Sequence, residues 1–179
     1  MNTDVPGFLA SLDDASAGSV SGRTAVVLGA GGAARAIVFA LLSRGAERVF
    51  VVNRTRATAD TLASFFGPKV SAVDWSQMSS VTAGCDLLVN TTRLGMQGEA
   101  ALNVNLDVMK SSATVIDIVY RPLETELLRC ARQRGLVTVD GLGMLLHQAA
   151  LAFEAWFGKR PQVTPELRMH LLAQLGSAT

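Results

Sequence analysis

The sequence predicts an α/β fold, a doubly wound parallel sheet with flanking helices and with helical extensions at both termini. Short Val-rich runs alternate with stretches of helical period from about residue 24 to residue 157, which is typical of a parallel sheet covered on both faces. The runs AVVL and VFVV are apolar throughout, as expected of strands that are buried on both sides. A glycine-rich loop directly follows the first of these runs.

Six segments are predicted to be strands because they are short and rich in Val: TAVVLG, RVFVVN, KVSAV, CDLLVN, ATVIDIVY and LVTVD. Three helices and one looser stretch are predicted between them: GGAARAIVFALLSRG, RATADTLASFFG, the looser residues 91–110, and PLETELLRCARQRG. Gly45 and Gly135 each follow basic residues at the end of a helical pattern, which is a common helix stop signal.

Two extensions complete a single domain that spans residues 1–179. Residues 1–15 are predicted to form a helix, with Thr3 or Asp4 as the N-cap and Pro6 tolerated in the first turn. The small-residue segment ASAGSVSG then leads into the first strand. Residues 141–179 are predicted to form two C-terminal helices, separated by a segment that contains two prolines.

Composition excludes several classes of protein. The net charge is +1 and the basic residues are scattered, so no nucleic-acid partner is expected. No apolar run approaches the roughly 20 residues that cross a bilayer, and MNTDVPGFL does not resemble a secretory signal, so we expect a cytoplasmic protein without membrane contact. Cys85 and Cys130 are expected to be reduced core residues. No Cys/His spacing indicates a metal site.

The glycine-rich loop predicts a Rossmann-type dinucleotide site. GAGGAA follows a strand and opens a helix, with Gly29, Gly31 and Ala34 at the three positions of the fingerprint. The first glycine allows the tight turn, the second lets the backbone approach a pyrophosphate, and the alanine keeps the helix close to the sheet. Backbone N–H groups at the helix N-terminus are the expected donors. The predicted pyrophosphate loop comprises Gly29, Ala30, Gly31, Gly32 and Ala33.

The end of the second strand indicates which dinucleotide is bound. Enzymes that use NAD place an acidic residue there, which binds the ribose hydroxyls. This chain has Asn53, Arg54 and Thr55 instead. A guanidinium can bind a 2′-phosphate through two charge-assisted hydrogen bonds, and the neighbouring polar side chains add neutral donors. We therefore expect NADP as the cofactor, with Arg54 as a solvated surface charge as the alternative.

Five motifs, in order, resemble the C-terminal NADP-binding domain of the shikimate dehydrogenases: GAGGAARA, VVNRT, NTTRLGM, DIVYRP and GLGMLLHQA. The segment NTDVPGF is similar to the point where that family's chain leaves its substrate domain. The resemblance implies a reversible, NADPH-dependent reduction of 3-dehydroshikimate to shikimate in aromatic amino-acid biosynthesis, with the substrate bound in a cleft between two domains.

The resemblance also implies roles for individual residues. Asn53, Arg54 and Thr55 correspond to the clamp on the 2′-phosphate, and Ile118 and Gly141 to backbone positions at the nicotinamide end. Substrate contacts are implied for Asn2, Asp4, Tyr120 and Gln148, with Met144 lining the same pocket. The sequence departs from the family at two places. Thr58 stands where many members have a second arginine, with Arg56 as a nearby substitute, and Arg93 stands where a proline is common.

The resemblance implies a catalytic role for Asp4. Hydride arrival at a ketone carbon builds negative charge on the oxygen, so a proton donor must lie there. In the family this donor is a lysine, paired with the aspartate to which Asp4 corresponds. Each assignment has a simpler alternative from the residues alone: Asp4 as only an N-cap, Tyr120 as an exposed aromatic at a strand end, and Gln148 as a solvent-facing helix residue.

The family's N-terminal substrate domain is expected to be absent from this chain. Lys69, Lys110 and Lys159 lie in no segment that resembles the family's lysine motif. We therefore expect the chain to bind NADP without turnover by itself, and to associate as a homodimer through inter-domain surface left bare around Phe8, Leu9, Met144 and Leu145. A non-catalytic NADP-binding sensor or scaffold is the main alternative. A quinate-preferring relative that uses NAD is disfavoured by Arg54.

Overall fold

The computed structural model describes residues 2–176 and contains one sheet of six parallel strands, in the order β3-β2-β1-β4-β5-β6. The strands are β1 (Thr24–Leu28), β2 (Arg48–Asn53), β3 (Val70–Asp74), β4 (Leu87–Asn90), β5 (Thr114–Asp117) and β6 (Val137–Val139). The α-helices are α1 (Asp4–Asp14), α2 (Gly32–Ser43), α3 (Arg56–Phe66), α4 (Met78–Thr82), α5 (Glu126–Gln133), α6 (Gly141–Phe157) and α7 (Pro165–Gly176).

All six predicted strands and the predicted parallel sheet are confirmed. The sheet order is the one expected of a doubly wound fold made of two halves. The connection between β3 and β4 holds the short helix α4, which the sequence did not predict. Residues 91–110 are as irregular as expected, with a single 3-10 turn at Leu106–Val108.

Two hydrophobic cores lie on opposite faces of the sheet. Alternate residues of β1 point to opposite sides, so that Val27 packs with α1, α2, α3 and α6 whereas Val26 packs with α4 and α5. The central strand β1 is buried on both faces, because its residues from Ala25 to Leu28 are 0% exposed. The apolar strands of the sequence therefore owe their composition to helices on both sides.

The two terminal extensions pack against each other rather than presenting a bare surface. Helix α1 lies against α6, and Gly7 approaches so closely that an added Cβ would lie 2.7 Å from Gln148 Cγ. This contact buries Phe8 completely and leaves Met144 6% exposed. The expectation that both side chains form exposed inter-domain surface is therefore wrong, because each extension covers the apolar stripe of the other.

The prediction that Thr3 or Asp4 is the N-cap of α1 is confirmed, since Thr3 is the N-cap residue. Thr3 occupies the cap position but has helical backbone angles (φ −98°, ψ −8°) and makes no side-chain cap bond. Asn2 takes over this role, since its Oδ1 accepts hydrogen bonds from the backbone N–H groups of Asp4 (2.9 Å) and Val5 (3.3 Å). Asp4 is the first residue of the helix, and its carboxylate takes no part in capping.

None of the helices in residues 2–176 combines the length and the apolar character needed to span a bilayer. Across the same residues, no cluster of three or more His, Cys, Asp or Glu side chains is placed to hold a metal ion.

Candidate nucleotide-binding site

The candidate site lies at the carboxyl ends of β1 and β4. After β1 the chain builds β2 and β3 on one side, then crosses to β4 on the other, so the direction of the strand order changes between β1 and β4. Ligands of open α/β sheets bind in the crevice outside such a switch point. The predicted glycine loop follows β1, and the loop that begins at Thr91 follows β4.

Gly29 is required by the fold itself. Its φ is +104°, and its N–H donates to Val52 O across the end of the sheet (2.8 Å). A Cβ at this position would lie 2.7 Å from Thr91 Oγ1. The Thr91 hydroxyl in turn donates to Leu28 O (2.6 Å). The two loops at the switch point are therefore locked together, and only glycine fits between them.

Gly31 and Gly32 differ from Gly29, because nothing in the chain requires them to be glycine. A Cβ at either position would meet no heavy atom within 4 Å. Gly31 is the N-cap of α2, with extended backbone (φ −85°, ψ −165°), and both residues are exposed. Their N–H groups lie at the open end of a 12-residue helix, where the helix dipole and unpaired donors favour an anion.

Arg54, at the end of β2, is an uncompensated cation. It is exposed and forms no ion pair or side-chain hydrogen bond with any other residue of the described chain. The Asn53 amide shapes the turn by donating to Thr55 O (3.0 Å). Arg56, the suggested substitute for a second phosphate-binding arginine, is instead held by Asp60 and Asp74 at 2.9 Å each.

A cleft of about 410 Å³ opens between the loops that follow β4 and β5. Thr91, Thr92 and Met96 line one wall, and Ile118 and Tyr120 line the other. Tyr120 is 41% exposed and directs its hydroxyl to no hydrogen-bond partner among the described residues. It is therefore a candidate donor to a ligand in this cleft.

A buried polar network fixes both walls of the cleft. Asp117, at the end of β5, accepts hydrogen bonds from Asn90 Nδ2 (2.9 Å), Val119 N (3.0 Å) and the Thr125 hydroxyl (2.7 Å). Asn90 Oδ1 accepts from the backbone and hydroxyl of Thr92. Burial raises the pKa of Asp117, and the three donors oppose that rise. The network therefore connects the loop after β4 to the loop after β5.

Gly141 and Ile118, the two residues expected at the nicotinamide end, are brought into contact. A Cβ on Gly141 would lie 2.2 Å from Ile118 O and 2.7 Å from Val119 O, both of which are backbone atoms. Asp140 caps the helix that starts here by accepting from Leu142 N (3.0 Å), and Arg168 of α7 pairs with the same carboxylate (2.5 Å). The N-terminus of α6 therefore lies directly against the end of β5.

Asp4 and Gln148, both expected at the substrate, also meet. Gln148 Nε2 donates to Asp4 Oδ1 across the α1–α6 contact (2.5 Å). Asp4 therefore uses its side chain in this contact and not as a cap, and Gln148 is half-buried. Asn2 lies two residues before Asp4, with its Oδ1 used in capping. No hydrogen bond joins Tyr120 to this pair in the described chain.

The lysines of the chain lie away from Asp4. Lys69 and Lys110 precede β3 and β5, at the amino ends of strands, which is the edge of the sheet opposite the candidate site. Lys110 is also paired there with Asp86 (2.6 Å). Lys159 follows α6, a 17-residue helix whose far end is about 25 Å from Gly141.

Sequence reasoning missed the network around Asp117. Its signal was present, since Asn90 and Asp117 are the polar last residues of two otherwise apolar strands, LLVN and TVID. Parallel strands end at one edge, so these polar ends are neighbours. The roles of Thr92 and Thr125 depend on loop geometry, which the sequence pattern does not specify.

These features define a Rossmann-type nucleotide-binding domain, with an exposed glycine-rich N-terminus of α2 and an exposed cation at the end of β2. Residues 11–142 match the family described as shikimate / quinate 5-dehydrogenase, and residues 141–165 match the shikimate 5′-dehydrogenase C-terminal domain. The chain belongs to the shikimate/quinate 5-dehydrogenase family.

Two relatives show how much of the family protein the chain spans. It is 53% identical to a shikimate dehydrogenase (NADP(+)) of Rhodopseudomonas palustris, over 98% of this chain and 63% of the relative. It is 54% identical to the corresponding protein of Methylobacterium radiotolerans, over 97% of this chain and 63% of the relative. The chain therefore spans somewhat less than two thirds of these relatives' length.

Solved structures agree on the fold. A quinate dehydrogenase of Corynebacterium glutamicum in complex with NAD is 32% identical, with a TM-score of 0.87 over 97% of this chain and 62% of that one. A shikimate 5-dehydrogenase of Thermus thermophilus in complex with NADP(H) and shikimate is 42% identical, with a TM-score of 0.77 over 90% of this chain and 58% of that one.

Proposed function

We propose that this chain is the NADP(H)-binding part of a shikimate dehydrogenase, which reduces 3-dehydroshikimate to shikimate reversibly. The observation that carries the proposal is Arg54, an exposed cation with no partner among residues 2–176, at the strand end where NAD enzymes place an acidic residue. Relatives that are 53% and 54% identical are NADP-dependent shikimate dehydrogenases. Shikimate and NADP(H) are bound together by a structural neighbour.

The site residues divide between the two ends of the cofactor. Gly31, Gly32 and the following N–H groups would bind the pyrophosphate, and Arg54 the 2′-phosphate. The nicotinamide would lie by Ile118 and Gly141, with the cleft beside Tyr120 open to the substrate. NADPH supplies the hydride to the ketone carbon when it is bound.

The substrate residues of this chain would position a polyhydroxylated ring. Gln148 can both donate and accept, and Asp4 fixes its amide nitrogen as the donor to the carboxylate. Tyr120 offers a hydroxyl. Asp4 would also pair with the proton-donating lysine, whose ammonium delivers a proton to the ketone oxygen as the hydride arrives.

We propose that the chain alone binds NADP(H) without turnover. The lysines described above lie at the opposite edge of the sheet or at the far end of α6, so the proton donor would have to come from a segment outside these 179 residues. We also place the whole protein in the cytoplasm, which is compatible with the free thiols of Cys85 and Cys130.

The expected homodimer remains a proposal, on a different surface. Phe153, Trp156 and Phe157, near the C-terminal end of α6, are 44%, 77% and 65% exposed. Because Phe8 and Met144 are buried, these aromatic side chains are the better candidates for self-association. Trp156→Glu should shift a dimer towards monomer in sedimentation equilibrium, and an unchanged mass would exclude this surface.

Calorimetric titration with NADPH and NADH tests cofactor choice. Arg54→Ala should weaken NADPH binding by about 1.5–3 kcal/mol, or about 10- to 150-fold, because one charged hydrogen-bonding group is lost. NADH binding should be nearly unchanged. Arg56→Ala is the matched control, since that side chain is already held by two carboxylates. Equal losses for NADPH and NADH in Arg54→Ala would refute the assignment.

Complementation tests the activity. The substrate domain of the Rhodopseudomonas palustris relative, produced separately, should restore NADPH formation from shikimate when it is mixed with this chain. Tyr120→Phe and Gln148→Ala should then lower the restored rate. A chain that binds NADPH but never supports turnover would favour the sensor or scaffold alternative.

A further inference from the structure

A pocket of about 270 Å³ adjoins the glycine loop on the side of α3. It is lined by Ala30 of the loop, by Arg35 of α2, and by four residues of α3: Ala57, Thr58, Thr61 and Leu62. The pocket therefore lies between the predicted pyrophosphate loop and the helix that begins two residues after Arg54.

Arg35 brings a second uncompensated positive charge to this place. It lies in the first turn of α2, is exposed, and forms no ion pair with any residue of the described chain. Its guanidinium carbon lies 5.0 Å from the centroid of the Phe65 ring, which restrains the side chain over α3 without neutralising it.

Of the three arginines Arg35, Arg54 and Arg56, one is already paired with carboxylates and is therefore less suited to bind an anion. Arg56 is paired with both Asp60 and Asp74, so this trio carries a net negative charge. Arg54 and Arg35 are the cations that remain. Neither guanidinium has a carboxylate partner among residues 2–176, and Arg35 lies in the first turn of α2, where the helix dipole also favours an anion.

We propose that the 2′-phosphate of NADP lies at this pocket, and that Arg35 is a second cationic ligand for it, in addition to Arg54. The hydroxyl of Thr58 lines the same pocket and can donate to a phosphate oxygen. The inference rests on the proposed binding of NADP(H). It makes cofactor choice depend on a residue of α2, in addition to the end of β2.

The pocket geometry explains why a helix residue can contribute. Ala30, which belongs to the predicted pyrophosphate loop, also lines the pocket, so the loop and the pocket are contiguous. A ligand whose pyrophosphate lies on Gly31 and Gly32 would therefore extend its adenosine ribose towards the pocket that Arg35 of α2 and Thr58 of α3 line. Phe65, 66% exposed, also gives Arg35 a planar surface on which it remains extended.

Fragment binding provides the test. Adenosine 2′,5′-bisphosphate and adenosine 5′-monophosphate differ only in the 2′-phosphate, so the ratio of their dissociation constants measures recognition of that group. Arg35→Gln should weaken the bisphosphate about 10- to 100-fold, as expected for the loss of a charge-assisted contact, and change the monophosphate less than threefold. Arg35→Lys should recover part of the loss.

Arg56→Gln is the matched control, and it should change neither dissociation constant by more than about threefold because its charge is already neutralised. Equal weakening of both fragments by Arg35→Gln would mean that Arg35 binds the 5′-phosphate, and would overturn the inference. So would an unchanged ratio, or a larger effect of Arg56→Gln. If the unmodified chain binds the bisphosphate no more tightly than the monophosphate, the proposed binding of NADP(H) is itself contradicted.

Discussion

Gly31→Ala should affect the binding of a ligand much more than the stability of the fold. In the unliganded chain a Cβ at Gly31 meets open space, and its backbone angles suit alanine. The substitution exchanges glycine for the poorer alanine at an N-cap, which costs about 1 kcal/mol or less. For a chain of this size the melting temperature should fall by about 4 °C at most.

The same Cβ should be costly for binding. It would occupy the space through which a pyrophosphate reaches the N–H groups of Gly31 and Gly32. Losing two hydrogen bonds to a charged group costs about 3–6 kcal/mol, which corresponds to about 10²- to 10⁴-fold in the dissociation constant. Calorimetric titration with NADPH measures the loss, and circular dichroism melting measures the stability of the same samples.

Gly29→Ala is the matched control, because it should show the opposite pattern. Its Cβ would lie 2.7 Å from Thr91 Oγ1, and alanine at φ +104° is strained, so the melting temperature should fall well beyond that of Gly31→Ala. A folded Gly31→Ala chain that binds NADPH within about threefold of the unmodified chain would refute the assignment of this loop to the pyrophosphate.

Three further predictions concern the frame of the site. Gly141→Ala should lower the melting temperature markedly and weaken NADPH binding, because its Cβ would lie 2.2 Å from the backbone oxygen of Ile118; normal stability would show that α6 can shift. Asp117→Ala should lower the free energy of unfolding in urea by about 2–4 kcal/mol, since it leaves buried donors without an acceptor, and a loss below about 1 kcal/mol would contradict the network. Burial raises the pKa of Cys85 to about 12, so at pH 8 a thiol reagent should label only Cys130 in the folded chain and both thiols in urea; fast labelling of two thiols without urea would contradict the packing.

The sequence predicted the sheet well because its signals are local. A buried parallel strand must be apolar throughout, and a helix covering one face must be amphipathic, so both patterns are visible without tertiary information. The short helix α4 was not predicted, because residues 78–82 are too few to show a helical period. The side chain that caps α1 was not predicted, because Asn2, Thr3 and Asp4 are all good N-cap residues. Only the folded geometry shows that Asn2 accepts the capping hydrogen bonds.

Errors about exposed surface have a different origin. Phe8 and Met144 lie far apart in the sequence, and neither pattern shows that α1 and α6 bury each other's apolar stripes. Gly7 makes this contact possible, since any larger residue would collide with Gln148. Burial between elements that are distant in sequence is not encoded in the periodicity of either one. The pairing of Asp4 with Gln148 was beyond prediction from periodicity for the same reason.

Residues that the unliganded fold requires carry little information about a ligand. Gly29 and Gly141 would be glycine in this chain even if nothing were bound, because backbone or side-chain atoms fill the space beside them. Gly31, Gly32 and Arg54 have no such reason, since the first two face open space and the third has no partner within the described chain. Keeping glycine at a solvent-exposed N-terminus sacrifices the cap that Ser or Asp would provide. The case for a bound phosphorylated dinucleotide therefore rests on this second group, and substitutions there decide it.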